Sequence, residues 1–233
     1  MAINDPLELG IILVFLLVFS LFSYRKKLLD FEGVLIANAV GLAAITFGPN
    51  PMIDLGSVVV FFVIGEIASN LPKKKHEKRN IMNVIGNSLP ALVMLILILI
   101  FPEHAILLEL GFFGAISAAL ADTLSSEIGY YSKKMPVMIT NFKPVKKGTD
   151  GGVTLVGEAA ALFGGIVIAI LYFSAYQNVF GTILVLLAGL VGSNIDSVFG
   201  GLFETKHLLD KTQVNIIGSA SGAVFCILLG LLI

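Results

Sequence analysis

The sequence predicts an all-α, polytopic integral membrane protein of about eight transmembrane helices, and three observations carry that prediction. The chain is 57% hydrophobic and only 13% charged, with a mean hydropathy of +0.96, whereas a soluble domain carries nearer a quarter of charged residues. Its apolar residues gather in blocks of roughly 20, the length of a bilayer span, and they do not alternate with polar residues as barrel strands do. Every one of the 15 Lys and Arg falls in alternate connections between those blocks, the asymmetry expected of the positive-inside rule.

The eight blocks are residues 7–24, 31–48, 55–71, 82–101, 105–128, 153–173, 180–202 and 214–233. They form one membrane domain, residues 1–233, with helices 1 to 4 in 1–101 and helices 5 to 8 in 102–233. The cations lie at Arg25 to Lys27, Lys73 to Arg79, Lys133 to Lys147, and Lys206 with Lys211, while connections 48–54, 101–105 and 174–179 carry none. The basic loops are therefore expected in the cytoplasm and both termini outside. One missed or invented helix would scramble this separation. The first block lacks a small-residue cleavage site and is followed by Arg25, so it reads as a retained span. Cys226 is the single cysteine, which excludes a disulfide within the chain. His76, His104 and His207 are scattered in loops and suggest no histidine metal site. Nothing points to nucleic acid. The expected partners are the bilayer and a phosphorylated substrate drawn to the basic face, and a homo-oligomer stays open.

Helices 1 to 3 are mostly Leu, Val, Ile and Phe, with Glu66 read as the one acid inside a span. It is a functional candidate, or it reaches water from near the helix end. Helix 4 opens on Asn83, Gly86 and Asn87, the two asparagines being i, i+4 on one face. They serve either interhelical hydrogen bonding, with Gly86 permitting close packing, or a polar wall beside Arg79.

Helix 5 ends in Asp122-Thr-Leu-Ser125-Ser126-Glu127-Ile-Gly129. Asp122, Ser125, Ser126 and Gly129 fall on one stripe, and Glu127 points away from it. A carboxylate with hydroxyls near the inner surface is an oxygen environment suited to Mg2+ that also keeps water and substrate phosphate oxygens. Pairing with a nearby Lys is the plainer alternative. The next loop carries Lys133, Lys134, Lys143, Lys146 and Lys147, then Gly148-Thr149-Asp150-Gly151-Gly152 where helix 6 is expected to begin. Glycines at a helix start let backbone N–H groups approach an anion, and the helix dipole favours negative charge there. Thr149 or Asp150 could equally cap the helix. No Walker A or G-x-G-x-x-G pattern is present. Thr154 and Glu158 continue that face into helix 6. Helix 7 carries Gly192-Ser-Asn194-Ile-Asp196-Ser197, making Asp196 a second candidate metal ligand or base, and Gly218 with Gly222 reads as a packing seam in helix 8.

Asn83-Val-Ile-Gly86 with Ala91 matches Asn215-Ile-Ile-Gly218 with Ala223 at equal spacing, and Gly33-Val-Leu-Ile resembles Gly152-Val-Thr-Leu. These matches predict parallel duplicated halves, helices 1 to 4 and 5 to 8.

Through ADTLSSEIG, residues 136–140 (PVMIT), the K-x-V-x-x-G-T-D-G-G-V-T run at 143–154, SNIDS and NIIGS, the chain resembles the transmembrane-protein-19-like family, domain of unknown function 92. The resemblance runs from about Lys75 to the C-terminus. That family includes plant phytyl-phosphate kinase, and the pattern is similar to dolichol kinases and CDP-lipid synthases. The resemblance implies CTP and Mg2+ chemistry, with roles for Asp122, Ser126, Lys143, Lys146, Gly148, Asp150, Gly151, Gly152 and Asp196. The expectation is an isoprenyl-phosphate kinase using CTP at the cytoplasmic face of the cell membrane. Asp122, joined by Asp196 or Asp150, holds Mg2+, with Lys143 at the reacting centre. Ser126, Lys146, Lys147, Gly148, Thr149, Asp150, Gly151, Gly152 and Thr154 hold the nucleotide, and Arg79, Asn83, Asn87 and Glu158 hold the acceptor. A cytidylyltransferase making a CDP-lipid and a transporter of a phosphorylated lipid are the rival readings.

Overall fold

The computed structural model describes residues 6–25, 31–71 and 81–232. Among them are eight α-helices: α1 (Pro6–Arg25), α2 (Phe31–Phe47), α3 (Pro51–Ser69), α4 (Ile81–Ile100), α5 (Ala105–Gly129), α6 (Leu155–Tyr176), α7 (Val179–Leu202) and α8 (Lys211–Gly230). Five regions are long and apolar enough to cross a membrane, those of α3, α5, α6, α7 and α8, and shorter apolar helices lie within α1, α2 and α4. Many large side chains face outward, such as Ile170, Leu187 and Leu228, a surface that suits hydrocarbon and would aggregate in water. The class is all-α, as the hydropathy blocks predict.

Helix boundaries follow local chemistry. Pro51 opens α3 after Asn50, a position where its missing N–H costs nothing. The Asn178 side chain accepts from Gly181 N at the start of α7, and Asp210 with Gln213 forms a reciprocal capping box at the start of α8. Pro90 lies inside α4, tolerated in a membrane helix where neighbours re-satisfy the freed carbonyl.

Helix α5 is the hub, in contact with α3, α4, α6, α7 and α8, while α1 rests on α2. Its central run from Leu110 to Ala121 is buried throughout. Close approach demands small residues: a Cβ on Gly114 would come 2.5 Å from Gly222 O, and one on Gly192 would come 2.7 Å from Gly218 O. The Gly218 and Gly222 seam of α8 therefore closes against α7 and α5.

Two expectations are corrected. Helix α6 begins at Leu155 rather than 153, because Gly152–Val153 forms a short strand, β2, antiparallel to β1 (Val137–Met138). Its cap is accordingly Thr154, whose Oγ1 accepts from Gly157 N at 3.0 Å, and not Thr149 or Asp150. Glu66 is also not the one acid within helices 1 to 3. Helix α3 starts at Pro51, ahead of the expected 55, so Asp54 lies inside it and is fully buried.

Candidate functional site

A cavity of about 630 Å³ lies where α5 ends, α7 ends and α8 begins. The end of α5 contributes Asp122, Ser125, Ser126, Glu127 and Gly129, and α7 contributes Asp196, Ser197 and Gly200. The loop before α6 contributes Lys147 through Gly152 and Thr154. Glu204, Lys211 and Asn215 complete the wall.

Asp122 and Asp196 meet across the α5 and α7 contact within side-chain hydrogen-bonding range. Helix α8 packs tightly beside Asp196, since a Cβ on Gly218 would come 2.9 Å from Asp196 Cβ. Turned to satisfy its neighbours, the Asn215 amide donates to Asp196 Oδ2 and to Lys211 O, each at 3.2 Å. Asp196 lies in the field of Asp122, Glu204 and Lys211, and Glu204 in that of Asp150, Lys211 and Asp122. Like charges gathered here repel, and Lys211 or a bound cation offsets that repulsion.

The loop is folded tightly rather than draped. Ile139 N donates to Gly151 O, Met138 N to Lys143 O, and Val145 N to Pro136 O, each at 2.9 Å. Gly148 and Gly151 take the left-handed backbone, φ 83° and 77°. At Gly151 a side chain is excluded twice over, since its Cβ would also come 2.5 Å from Gly201 Cα. Lys147 Nζ donates to Tyr130 O at 3.2 Å and to Ser132 O, clipping the loop to the carbonyl end of α5. An ammonium has a third donor for the cavity. Thr154 Oγ1 also donates to Gly129 O at 3.4 Å, tying the start of α6 to the same helix end.

The structure thus brings together Asp122, Ser126, Lys147, Gly148, Thr149, Asp150, Gly151, Gly152, Thr154 and Asp196. Others lie elsewhere. Lys143 and Lys146 are exposed and do not line the cavity. Glu158 accepts from Asn194 Nδ2 at 3.1 Å, between α6 and α7. Asn87 is buried in α4 and does not line the cavity, and the neighbouring Gly86 serves close packing, its carbonyl accepting from Ser219 Oγ. Arg79 and the Asn83 side chain lie outside what is described. Glu127 lines the cavity although its helical position suggests the reverse, because the site wraps around the helix end. Glu204, Lys211 and Asn215 were not expected as site residues. Their only signal was polarity close to the basic face.

The donor set fits one mode of Mg2+ binding. Among the described residues no group of three or more His, Cys, Asp or Glu converges to hold a metal, so an all-protein cage is absent. Two carboxylates with hydroxyls around a large open volume match an ion that keeps water and phosphate oxygens. Asp122 and Asp196 are the residues that would hold it.

Residues 14–225 match the family described as Integral membrane protein DUF92. The uncharacterized membrane protein MJ0933 of Methanocaldococcus jannaschii is 30% identical over 230 residues, covering 96% of this chain and 94% of that protein. Protein PGR of Arabidopsis thaliana is 30% identical over 217 residues, 78% of this chain and 74% of that protein. Protein VTE6, chloroplastic, of the same plant is 28% identical over 189 residues, 74% of this chain and 57% of that protein. No solved structure matches the chain at a significant level.

Proposed function

The chain belongs to the DUF92 family of integral membrane proteins, and from that premise we propose that it is an isoprenyl-phosphate kinase. It transfers the γ-phosphoryl group of CTP to an isoprenyl monophosphate such as phytyl or geranylgeranyl phosphate. An acceptor phosphate oxygen bonds to the γ-phosphorus, the bond from that phosphorus to the β,γ-bridging oxygen breaks, and CDP leaves with the electron pair. The acceptor is already an anion, so no added base is required. The work left to the protein is positioning and charge neutralisation.

The observation that carries the reading is the meeting of Asp122 and Asp196 opposite the Gly148 to Gly152 loop in one cavity. When bound by these acids, Mg2+ supplies charge neutralisation for the triphosphate. Backbone N–H groups of the glycine loop and the remaining donor of Lys147 bind phosphate oxygens. Lys211, on the far wall and on the first turn of α8, suits the second phosphate group that a kinase must hold. The isoprenyl tail leaves the cavity between helices into the bilayer. Because the cavity adjoins the basic loops, the reaction belongs at the cytoplasmic face of the cell membrane.

Purified protein given Mg2+, CTP and geranylgeranyl monophosphate should yield the diphosphate and CDP by mass spectrometry, and Asp122→Asn should abolish both. A CDP-lipid with pyrophosphate would replace this reading with cytidylyl transfer, and no nucleotide turnover with any isoprenyl phosphate would remove the enzyme.

A further inference from the structure

We propose that Asp54 and Glu109 together bind one proton, forming an ionisable site at the end of the bundle opposite the cavity. It does not depend on the kinase reading. Asp54 lies in the first turn of α3 and Glu109 in the second turn of α5. Both are fully buried, at 0% exposure, with their carboxyl groups within side-chain hydrogen-bonding range of each other. Asp54 is pinned there. Its Oδ2 accepts from Asn50 N at 3.0 Å, and Gly48 lies so close that a Cβ on it would come 2.9 Å from Asp54 Cγ.

The remaining oxygens point to a ligand. Asp54 Oδ1, both Glu109 oxygens and the buried Tyr176 hydroxyl have no well-aligned hydrogen-bond partner among the described residues, although the Tyr176 hydroxyl lies within side-chain hydrogen-bonding range of Glu109 and of Asn50. Two ionised carboxylates in contact inside an apolar bundle repel strongly, and such a pair takes up a proton or a cation. Mg2+ or Ca2+ takes six or more oxygens, and among the described residues no third His, Cys, Asp or Glu joins this pair. A proton needs only two. It bridges Glu109 to Asp54 Oδ1, and the Tyr176 O–H, after rotation, donates to the Glu109 oxygen left over. The proton belongs to the pair rather than to either residue.

Connections 48–54, 101–105 and 174–179, at this end, carry no Lys or Arg. The titratable side chains near the pair are Tyr176 and Tyr172 of α6, with Cys226 of α8 next to Tyr172, whereas Glu66, Asp122, Glu127, Glu158 and Lys211 of the same helices lie toward the other end of their helices. Glu103 and His104 sit in the turn before α5, exposed and 3.9 Å apart. The amino terminus lies outside the described residues. Loss of the proton sets two like charges face to face and weakens α3 against α5. A group protonated when folded and ionised when unfolded stabilises at low pH, and that contribution disappears as pH rises through the site's titration.

The test is infrared spectroscopy of the protein in lipid nanodiscs. At about pH 8, far above the ordinary carboxyl range near 4, the wild type should keep a D2O-sensitive protonated-carboxyl band that shifts on 13C labelling of Glu or Asp. A component of that band should be lost in Glu109→Gln and kept in Asp196→Asn, which separates it from any contribution of the cavity acids. A wild type without such a band, a Glu109→Gln spectrum that loses no component of it, or a component that appears only after chelation of divalent ions overturns the proposal. If Glu109→Gln does not fold, the labelled spectrum of Asp196→Asn decides, a persistent band supporting the pair and its absence overturning it.

Discussion

At the residue scale, Asp122 and Asp196 act as a unit whose geometry neither helix sets by itself. Glycine at 218 lets α8 approach until Asn215 can hold one Asp196 oxygen, which leaves the rest of that carboxyl to Asp122 and the cavity. Removing the charge from one member removes the electrostatic centre of the site. Asp122→Asn and Asp196→Asn should each lower kcat by about 100-fold or more, and the double variant should lose little beyond either single one, as groups acting together do. Steady-state kinetics of the three variants checks this. Lys211 makes a different prediction. On the kinase reading its exposed ammonium would neutralise an acceptor phosphate, so Lys211→Ala should raise KM about 10-fold, the worth of one charge-assisted hydrogen bond. The defect should grow smaller with added salt, because screening already weakens the wild-type contact.

At the scale of the element, α5 is the axle and its glycine seams are the bearings. Gly114 faces Gly222 O with no room for a side chain, so Gly114→Val must push α8 away. Overpacking of a filled core costs roughly 1–3 kcal/mol, and the thermal midpoint in detergent should fall accordingly, with activity lost as α8 carries Lys211 and Asn215 out of register. The same elements explain what was legible in the chain. Helices and their connections were readable because hydropathy alone reports burial in lipid. The Asp122 to Gly129 stripe was readable because its members share one helix face, and the glycine loop because its residues are consecutive. Glu204, Lys211 and Asn215 belong to the same cavity, but their convergence depends on how α7 meets α8, which periodicity within one helix does not encode. Asp54 was lost through a boundary set at residue 55 when the helix begins at Pro51. Glu109 stood in plain sight within an apolar run, but its significance depends on α3 being its neighbour.

At the scale of the molecule, charge is divided between the two ends of the bundle. Lys147 and Lys211 line the cavity, while the Asp54 and Glu109 pair lies at the other end, where connections 48–54, 101–105 and 174–179 carry no Lys or Arg. A donor nucleotide made in the cytosol can serve the cavity only if the basic end faces inward, so orientation and reaction stand or fall together. The chain offers a clean way to measure it. Cys226, its single cysteine, is fully buried and should stay silent to a membrane-impermeant maleimide. On that background, Lys134→Cys probes the exposed loop beside the cavity and Glu103→Cys the exposed turn at the opposite end. In sealed right-side-out vesicles Glu103→Cys should label and Lys134→Cys should not, and inverted vesicles should reverse the pattern. The opposite result would put the acid pair and glycine loop beyond the reach of cytosolic CTP, and the kinase reading would fail even with every helix correctly drawn.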